Sequence, residues 1–252
     1  VCYLPLDTPT NACDFVDLIA PDVAIFVKYE FWYNYIQTLE ERKIPILSVS
    51  SIFQERHSFF KWYGGFQRKM LQRISHFFVQ DEQSLQLLEK INIKQVTVVG
   101  DTRFDRAYKV ANSHKQYLEI ENFKEKMPLI VAGSTWMEDE QLLCDLMSLL
   151  EGKYKLLIAP HVIDETHLAQ IEKVFAAHKV ERYTKGNYAD CDVLVLDTFG
   201  MLSAVYYYAD VVWIGGGWNK TGIHNLVEAA VYGKPIFFGP NYDRYREAND
   251  LI

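Results

Sequence analysis

Long hydrophobic runs are missing from this sequence: no stretch of about 18 apolar residues could span a bilayer, and no basic-then-apolar signal pattern opens it. The four cysteines are scattered without a CxxC pair, so their spacing indicates neither a zinc site nor a disulfide framework. Positive charge is also scarce, since 26 Lys and Arg stand against 33 Asp and Glu. We therefore expect a cytoplasmic protein, soluble or at most peripheral to a membrane, that does not bind nucleic acid.

What the chain does contain is a regular alternation of short apolar runs with stretches of helical period. This alternation is typical of parallel sheets covered by helices on both faces. The predicted strands are residues 23–27, 44–49, 76–79, 96–99, 129–132, 155–159, 193–196, 211–214 and 235–238. The polar segment 109–127 separates two such series, which predicts two Rossmann-like α/β domains, residues 1–108 and residues 109–252. Because no Met precedes Val1, we expect the N-terminal domain to be incomplete, and the apolar end predicts further sequence there too.

Helices are predicted between the strands, among them residues 59–74 and 225–232. Asp81 is predicted to cap a helix that starts near Ser84, because an aspartate before an apolar-periodic segment satisfies free backbone N–H groups. Ligands of open parallel sheets bind beyond the carboxyl ends of the strands. The residues that follow strands are therefore the candidates for a functional site.

A glycine run, Gly215, Gly216 and Gly217, follows the strand at 211–214 and precedes His224, Asn225 and a helix carrying Glu228. Glycines let backbone N–H groups approach a ligand closely, and the start of a helix favours phosphate. The alternative is a turn that packing alone requires. Glu228 is placed to accept hydrogen bonds from ribose hydroxyls, although a lone helical Glu is more often solvated.

Two further loops follow strands of the second series. Ser134 and Thr135 offer hydroxyl groups at the same sheet edge, and we favour ligand contact for both. For the acids of residues 138–140 we favour a simple helix-capping role. His161 follows the next strand and is suited equally to a phosphate or carboxylate partner and to a hydrogen-bonded turn.

In the first series, Glu30 and Asn34 follow an apolar strand beside aromatic residues, an arrangement that suits sugar binding. Arg103 ends the last strand region and is suited to bidentate contact with a carboxylate or phosphate; a structural pair with Asp105 is the alternative.

Residues 56–69 combine bulky aromatics with cations, against the acidic average of the chain. Lys61, Trp62, Phe66 and Arg68 represent this segment. Such a mixture suits a membrane interface with anionic head groups. A core helix with a solvated basic face is an equal alternative.

These motifs, in this order, resemble those of the bacterial 3-deoxy-D-manno-octulosonic acid (Kdo) transferases over nearly the whole chain. Residues 30–34 read EFWYN where that family has an ELWPN pattern, and residues 100–105 read GDTRFD where it has G-S/N-x-K-F-D. Two glycines followed by residues 222–230 (GIHNLVEAA) form the third motif. The sequence departs from the family at Tyr33 and Trp136, where proline and histidine are expected.

The resemblance implies a GT-B glycosyltransferase that transfers Kdo from CMP-Kdo to a lipid A precursor at the cytoplasmic face of the bacterial inner membrane. The family's proposed catalytic base would precede Val1, which leaves Glu30 a supporting role. Asn34 and Arg103 are then expected to contact substrate. The residues expected to bind the donor are Ser134, Thr135, His161, Gly215, Gly216, Gly217, His224, Asn225 and Glu228. No metal or other cofactor is expected, because no cluster of Asp and His residues suggests one.

Two other readings stay open. The same glycine loop and ribose-binding Glu would serve another GT-B enzyme, either a UDP-sugar transferase or a nucleotide-sugar epimerase. The chain could also be a non-catalytic binding fragment, since the expected base is absent from it.

Overall fold

The computed structural model describes residues 2–113, 116–186, 188 and 190–252. The chain divides into two compact units, Val1–Thr102 and Arg103–Ile252. Each unit is built on a parallel sheet, which confirms the predicted α/β class.

The first unit has a four-stranded sheet flanked by helices. Its strands are β1 (Ala24–Val27), β2 (Ile46–Ser51), β3 (His76–Val79) and β4 (Val96–Val98), paired in that order. Its helices are α1 (Pro9–Ile19), α2 (Tyr33–Glu41), α3 (Gly65–Leu71) and α4 (Glu82–Lys90). Fully buried Ile36, Leu71, Phe77 and Leu88 join these helices to the sheet in one core.

The ends of these helices follow from local chemistry. Pro9 opens α1, where the missing N–H costs nothing, and the Thr8 side chain accepts from Asn11 N–H. The Asp81 carboxylate accepts from Ser84 N–H at 2.6 Å, so the predicted cap is confirmed.

The single helix predicted over residues 59–74 is wrong. The segment forms a 3-10 turn at Ser58–Phe60 and then α3, because the chain folds back on itself between them. A Cβ atom on Gly64 would lie 2.0 Å from the Ser58 carbonyl oxygen, so only glycine permits this return. An apolar period continues across the break, which is why the sequence pattern did not reveal it.

The second unit has a six-stranded sheet. Its strands are β5 (Leu129–Thr135), β6 (Lys155–Pro160), β7 (Val180–Arg182), β8 (Val193–Val195), β9 (Val211–Ile214) and β10 (Ile236–Phe238). Its helices are α5 (Thr102–Ala111), α6 (Leu118–Lys124), α7 (Met137–Leu149), α8 (Glu165–Val174), α9 (Leu202–Val205), α10 (Val227–Ala230) and α11 (Arg246–Leu251). The spatial order is β10-β9-β5-β6-β8-β7, with all neighbouring pairs parallel. Strands β5, β6 and β8 are buried on both faces, which is why they read as continuous apolar runs.

Two features of this unit differ from the prediction. Strand β7 was missed, because it is three residues long and carries two charged side chains at the sheet edge. The predicted domain boundary after residue 108 falls inside α5, since the polar segment that suggested a junction is largely two short helices, α5 and α6.

Candidate functional site

The carboxyl ends of β5 and β9 meet where the strand order of the second sheet changes direction. From β5, the sheet runs through β6, β8 and β7 to one side and through β9 and β10 to the other. Gly133 of β5 pairs in register with Ile214 of β9, so the loops that follow these strands are neighbours. Such a switch point is the usual ligand site of an open α/β sheet. The structure thus brings together the predicted residues of both loops.

The Gly215–Gly217 loop packs too closely for any larger side chain. A Cβ atom on Gly215 would lie 2.3 Å from the Ser134 carbonyl oxygen, and one on Gly217 would lie 2.6 Å from the Gly239 Cα. Gly216 has φ +90°, in the region that favours glycine. Packing therefore explains the glycines, as the alternative interpretation supposed, and a ligand role needs separate support.

Most N–H groups of this loop are already used inside the protein, which corrects the expected phosphate cradle. Gly215 N–H donates to the Gly133 carbonyl, and Gly216 N–H donates to Asp139 Oδ2 at 2.9 Å. The buried Gly217 N–H has no acceptor among the described residues. Of the three expected donors, Gly217 alone is therefore left for a ligand.

Three aromatic rings stack beside the loop. The His161 ring lies 4.7 Å from the Trp136 ring and 4.3 Å from the His224 ring, measured between centroids. Trp136 Nε1 also donates to His224 Nε2 at 2.9 Å. The two predicted histidines are thus brought together, and the tryptophan that departs from the family pattern holds them.

The hydrogen bond from Trp136 fixes the state of His224. Its Nε2 must carry a lone pair to accept the indole N–H, so the neutral ring bears its proton on Nδ1. Burial lowers the pKa of His224 below its usual range, and the nearby His161 adds to this lowering, while Asp139 opposes it. His224 is therefore a neutral side chain near pH 7.

Thr135 is not free to meet a ligand through its hydroxyl, which corrects part of the donor-site prediction. The residue is fully buried, and its Oγ1 donates to Glu140 Oε1 at 2.9 Å. Glu140 is also fully buried, and its carboxylate contacts His167 Nε2 at 3.0 Å. Ser134 lies at the edge of this region with φ +55° and is partly exposed.

Asp139 and Glu140, the acids at the start of α7, are buried and do not lie on the solvated face of the helix. Asp139 accepts from the N–H of the N-cap residue Trp136, as a capping box requires, but it is 1% exposed and holds Gly216 as well. Burial raises the pKa of Glu140, while His167 and the Thr135 hydroxyl oppose the rise. The simple capping role predicted for these acids is therefore incomplete.

Glu228 is held in a fixed orientation. Asn225 Nδ2 donates to Glu228 Oε1 at 2.7 Å, and the Ser203 hydroxyl donates to Oε2. The buried Asn225 Oδ1 has no partner among the described residues. Helix α10 spans only Val227–Ala230, not the predicted 225–232, so Asn225 precedes the helix and the helix-dipole argument for phosphate is weak.

Residues Glu30 and Asn34 of the first unit are anchored differently. Glu30 is exposed after β1, and its Oε2 accepts from Trp32 Nε1 at 2.8 Å. Asn34 Nδ2 donates to the Asp7 carbonyl at 2.9 Å, while its backbone N–H donates to the Asp7 carboxylate. Asn34 therefore ties the chain before α1 to the start of α2, and its amide is partly committed to that contact.

The predicted membrane segment forms an exposed aromatic turn, residues 61–68. Trp62 is 91% exposed and Phe66 is 60% exposed. Arg68 Nη1 donates to the carbonyls of Phe59 and Lys61, so this cation stabilises the turn. The turn thus presents apolar rings to solvent beside Lys61.

Arg103 forms an ion pair with Glu247, with Nη1 and Oε1 2.9 Å apart. This contact joins α5 to α11 within the second unit. The expected alternative partner was Asp105, so a structural role for Arg103 is found with a different acid. Its predicted substrate contact stays a prediction.

Three functional candidates were not singled out by the sequence: Asp139 as a loop anchor, His167 and Ser203. Each forms a hydrogen bond with a residue far away in the chain; Ser203 does so with Glu228, and Asp139 with Gly216. A serine or an aspartate in a helix has no local signal for such contacts.

Within residues 2–113, 116–186, 188 and 190–252, no group of three or more His, Cys, Asp or Glu could hold a metal ion. In the same part of the chain, no helix is long and apolar enough to cross a membrane.

Solved structures share the fold of this chain. UDP-GlcNAc 2-epimerase from Neisseria meningitidis matches at 14% identity with a TM-score of 0.62, over 96% of this chain and 65% of that chain. A putative UDP-N-acetylglucosamine 2-epimerase from Listeria monocytogenes matches at 11% identity with a TM-score of 0.62, over 95% and 63%. Together with the parallel sheets, these likenesses confirm the predicted Rossmann-like GT-B fold.

Sequence comparisons show a likeness to one family of transferases. Residues 1–106 match the family model described as 3-Deoxy-D-manno-octulosonic-acid transferase (kdotransferase). The 3-deoxy-D-manno-octulosonic acid transferases of Rickettsia bellii and Haemophilus influenzae are 25% and 24% identical, over 96% and 97% of this chain. A bifunctional glycosyltransferase/methyltransferase of Fusobacterium nucleatum is 25% identical over 95% of the chain. The resemblance to the Kdo transferases is therefore confirmed.

The chain spans only part of these relatives. It covers 58% of the Rickettsia bellii protein, 59% of the Haemophilus influenzae protein and 38% of the Fusobacterium nucleatum protein.

Proposed function

We propose that this chain belongs to an enzyme that transfers Kdo from CMP-Kdo to a lipid A precursor, with inversion at the anomeric carbon. The family match and the names of the curated relatives support the transferase class. The oriented Glu228 carboxylate after the switch-point loop is the observation that carries the assignment of a nucleotide-sugar donor.

Glu228 is prepared to hold a ribose. Each carboxylate oxygen has two lone pairs, and one on each is used by Asn225 and Ser203. The remaining lone pair on each oxygen suits the two neighbouring hydroxyls of a ribose ring. The protein donors fix the carboxylate in advance, so a nucleotide loses less free energy in ordering it.

The phosphate of the donor would meet Gly217 N–H and the ring stack of Trp136, His161 and His224. A backbone N–H in a buried loop stabilises developing negative charge without reorganising. Neutral His224 carries its remaining N–H on Nδ1, and His161 is exposed. We propose that these groups bind the phosphate or the Kdo carboxylate.

In the reaction, an acceptor hydroxyl oxygen forms a bond to the anomeric carbon of Kdo. The bond from that carbon to the phosphate oxygen breaks, and CMP leaves with the electron pair. A general base takes the hydroxyl proton. Glu30, exposed after β1, is proposed in a supporting role on the acceptor, and no metal is proposed to take part.

The exposed aromatic turn at residues 61–68 is proposed to meet the membrane that carries the acceptor. Trp62 and Phe66 would enter the head-group boundary, and Lys61 would meet lipid phosphates. We propose the cytoplasmic face of the inner membrane as the location of the enzyme.

A second candidate is a UDP-sugar enzyme, because the solved structures with a similar fold include UDP-GlcNAc 2-epimerases. Calorimetric titration with CMP, UDP and UMP in the presence of EDTA separates the candidates. We expect selective CMP binding that needs no metal and that Glu228→Ala weakens about ten-fold or more, as loss of hydrogen bonds to a charged group implies. Glu165→Ala, at an exposed acid on α8, is the matched control and should bind normally.

Each outcome of this titration has a clear meaning. A preference for UDP or UMP would move the assignment to the UDP-sugar class. Unchanged CMP affinity in Glu228→Ala would refute the ribose role of Glu228. Comparison of Kdo transfer by this chain and by a longer protein containing it tests whether the chain is a catalytic unit or a binding fragment.

A further inference from the structure

Asp139 is a buried carboxylate that the proposed reaction does not use. It is 1% exposed, and no salt bridge to it occurs in the described part of the chain. Three N–H groups take the place of a cation: Trp136 N–H at 3.0 Å, Gly216 N–H at 2.9 Å and Trp213 Nε1 at 3.1 Å. Burying a carboxylate costs free energy, so its presence in the interior indicates a structural or functional role.

The three donors come from different segments of the switch point. Trp136 starts α7 after β5, Gly216 follows β9, and Trp213 lies within β9. Trp136 and Gly216 share one oxygen, Oδ2. One atom of Asp139 therefore fixes the relative position of the two loops that form the candidate site.

The peptide between Gly215 and Gly216 extends this control to His224. In a trans peptide the N–H and C=O groups point in opposite directions. Asp139 holds the Gly216 N–H on one side, and the Gly215 carbonyl on the other side accepts His224 N–H at 3.1 Å. The backbone of His224 is thus placed through this one peptide.

A second connection reaches the same histidine through its ring. The Asp139 carboxylate holds the backbone of Trp136, whose indole N–H donates to His224 Nε2. A Cβ atom on Gly216 would lie 2.8 Å from His224 Cδ2, so the ring also rests on the loop. Both the backbone and the ring of His224 therefore depend on Asp139.

We infer that Asp139 is the positioning residue of the donor site, holding Gly216 and Trp136 so that Gly217 N–H and the His161–His224 stack face the ligand. Because Oδ2 accepts from both loops, a side chain with no acceptor at that position releases Trp136 and Gly216 together. The ligand part of this inference rests on the proposed function. The loop-holding part does not.

The test compares Asp139→Ala with Trp213→Phe. The first removes the acceptor that both loops share, while the second removes only the indole bond to Oδ1 and leaves the bonds to Gly216 and Trp136. For each variant, CMP affinity is measured by calorimetry, amide hydrogen exchange by mass spectrometry over residues 211–225, and stability by urea unfolding. Exchange needs no ligand, so it reports on the loop by itself.

We expect Asp139→Ala to speed exchange in residues 211–225 and to weaken CMP binding about ten-fold, the effect of losing one or two buried hydrogen bonds. Trp213→Phe should lose stability but keep wild-type exchange and CMP affinity. Equal exchange and equal CMP affinity in the two variants would overturn the inference. If the wild type binds no CMP while Asp139→Ala still loosens the loop, the proposed function fails and the positioning role stands.

Discussion

Replacing Gly216 by alanine tests whether the loop conformation is as constrained as the structure indicates. Gly216 has φ +90°, and an added Cβ would lie 2.7 Å from the Gly222 carbonyl oxygen and 2.8 Å from the His224 ring. The backbone cost of alanine at positive φ is about 1–2 kcal/mol. Relief of the overlap, which requires backbone and ring to move, adds about 1–3 kcal/mol.

Gly152 offers a control that separates these two costs. It has φ +74°, but no atom lies within 4 Å of an added Cβ, so Gly152→Ala should show the backbone cost alone. At about 2–4 °C per kcal/mol for a chain of this size, Gly216→Ala should lower Tm by about 4–20 °C and Gly152→Ala by about 2–8 °C.

The assay is urea unfolding and a thermal melt of both variants and the wild type, read by tryptophan fluorescence. Gly216→Ala should be about 1–3 kcal/mol less stable than Gly152→Ala, the cost of the overlap alone. Equal losses in the two variants would refute the reasoning, because the contacts with Gly222 and His224 would then carry no energy.

Two further predictions concern Glu140 and the exposed aromatic turn. Burial raises the pKa of Glu140, so its contribution to stability is full at low pH and is lost as pH rises through the raised pKa. Glu140→Gln should therefore flatten the fall in urea stability between acid and neutral pH; an unchanged slope would contradict this. Trp62→Ala should weaken binding to phosphatidylglycerol vesicles about ten-fold in sedimentation, since a large apolar side chain contributes about that much. Leu149→Ala, at a residue 79% exposed in the second unit, should bind normally, and equal binding by both variants would refute the membrane role of the turn.

Much of the fold could be predicted from the sequence because the signals are local. Buried parallel strands such as β5, β6 and β8 read directly as apolar runs. The Asp81 cap was predictable because its acceptor and donor lie three residues apart. Strand β7 was missed because a short charged edge strand has no apolar period.

The sequence predicted many of the residues that form the site, but not the partners that these residues contact. The sequence placed Ser134, His161 and Gly216 after strands, and parallel strands bring such residues to one sheet edge. It could not show that Thr135 turns inward to Glu140, or that Gly216 N–H is taken by Asp139. The partner of a polar group depends on which distant strand ends lie beside it, and that follows from strand order.

Local signals in the sequence are enough to predict the α/β class, the places where strands end and the resemblance to the Kdo transferases. Local period and capping chemistry set these features, and they need no knowledge of neighbours distant in the chain. The pairing of β5 with β9, which brings Asp139 to Gly216 from 77 residues away, follows from the three-dimensional fold and has no local signal. Hydrogen bonds between groups that far apart form only when the whole sheet fixes their positions, because no local preference specifies them.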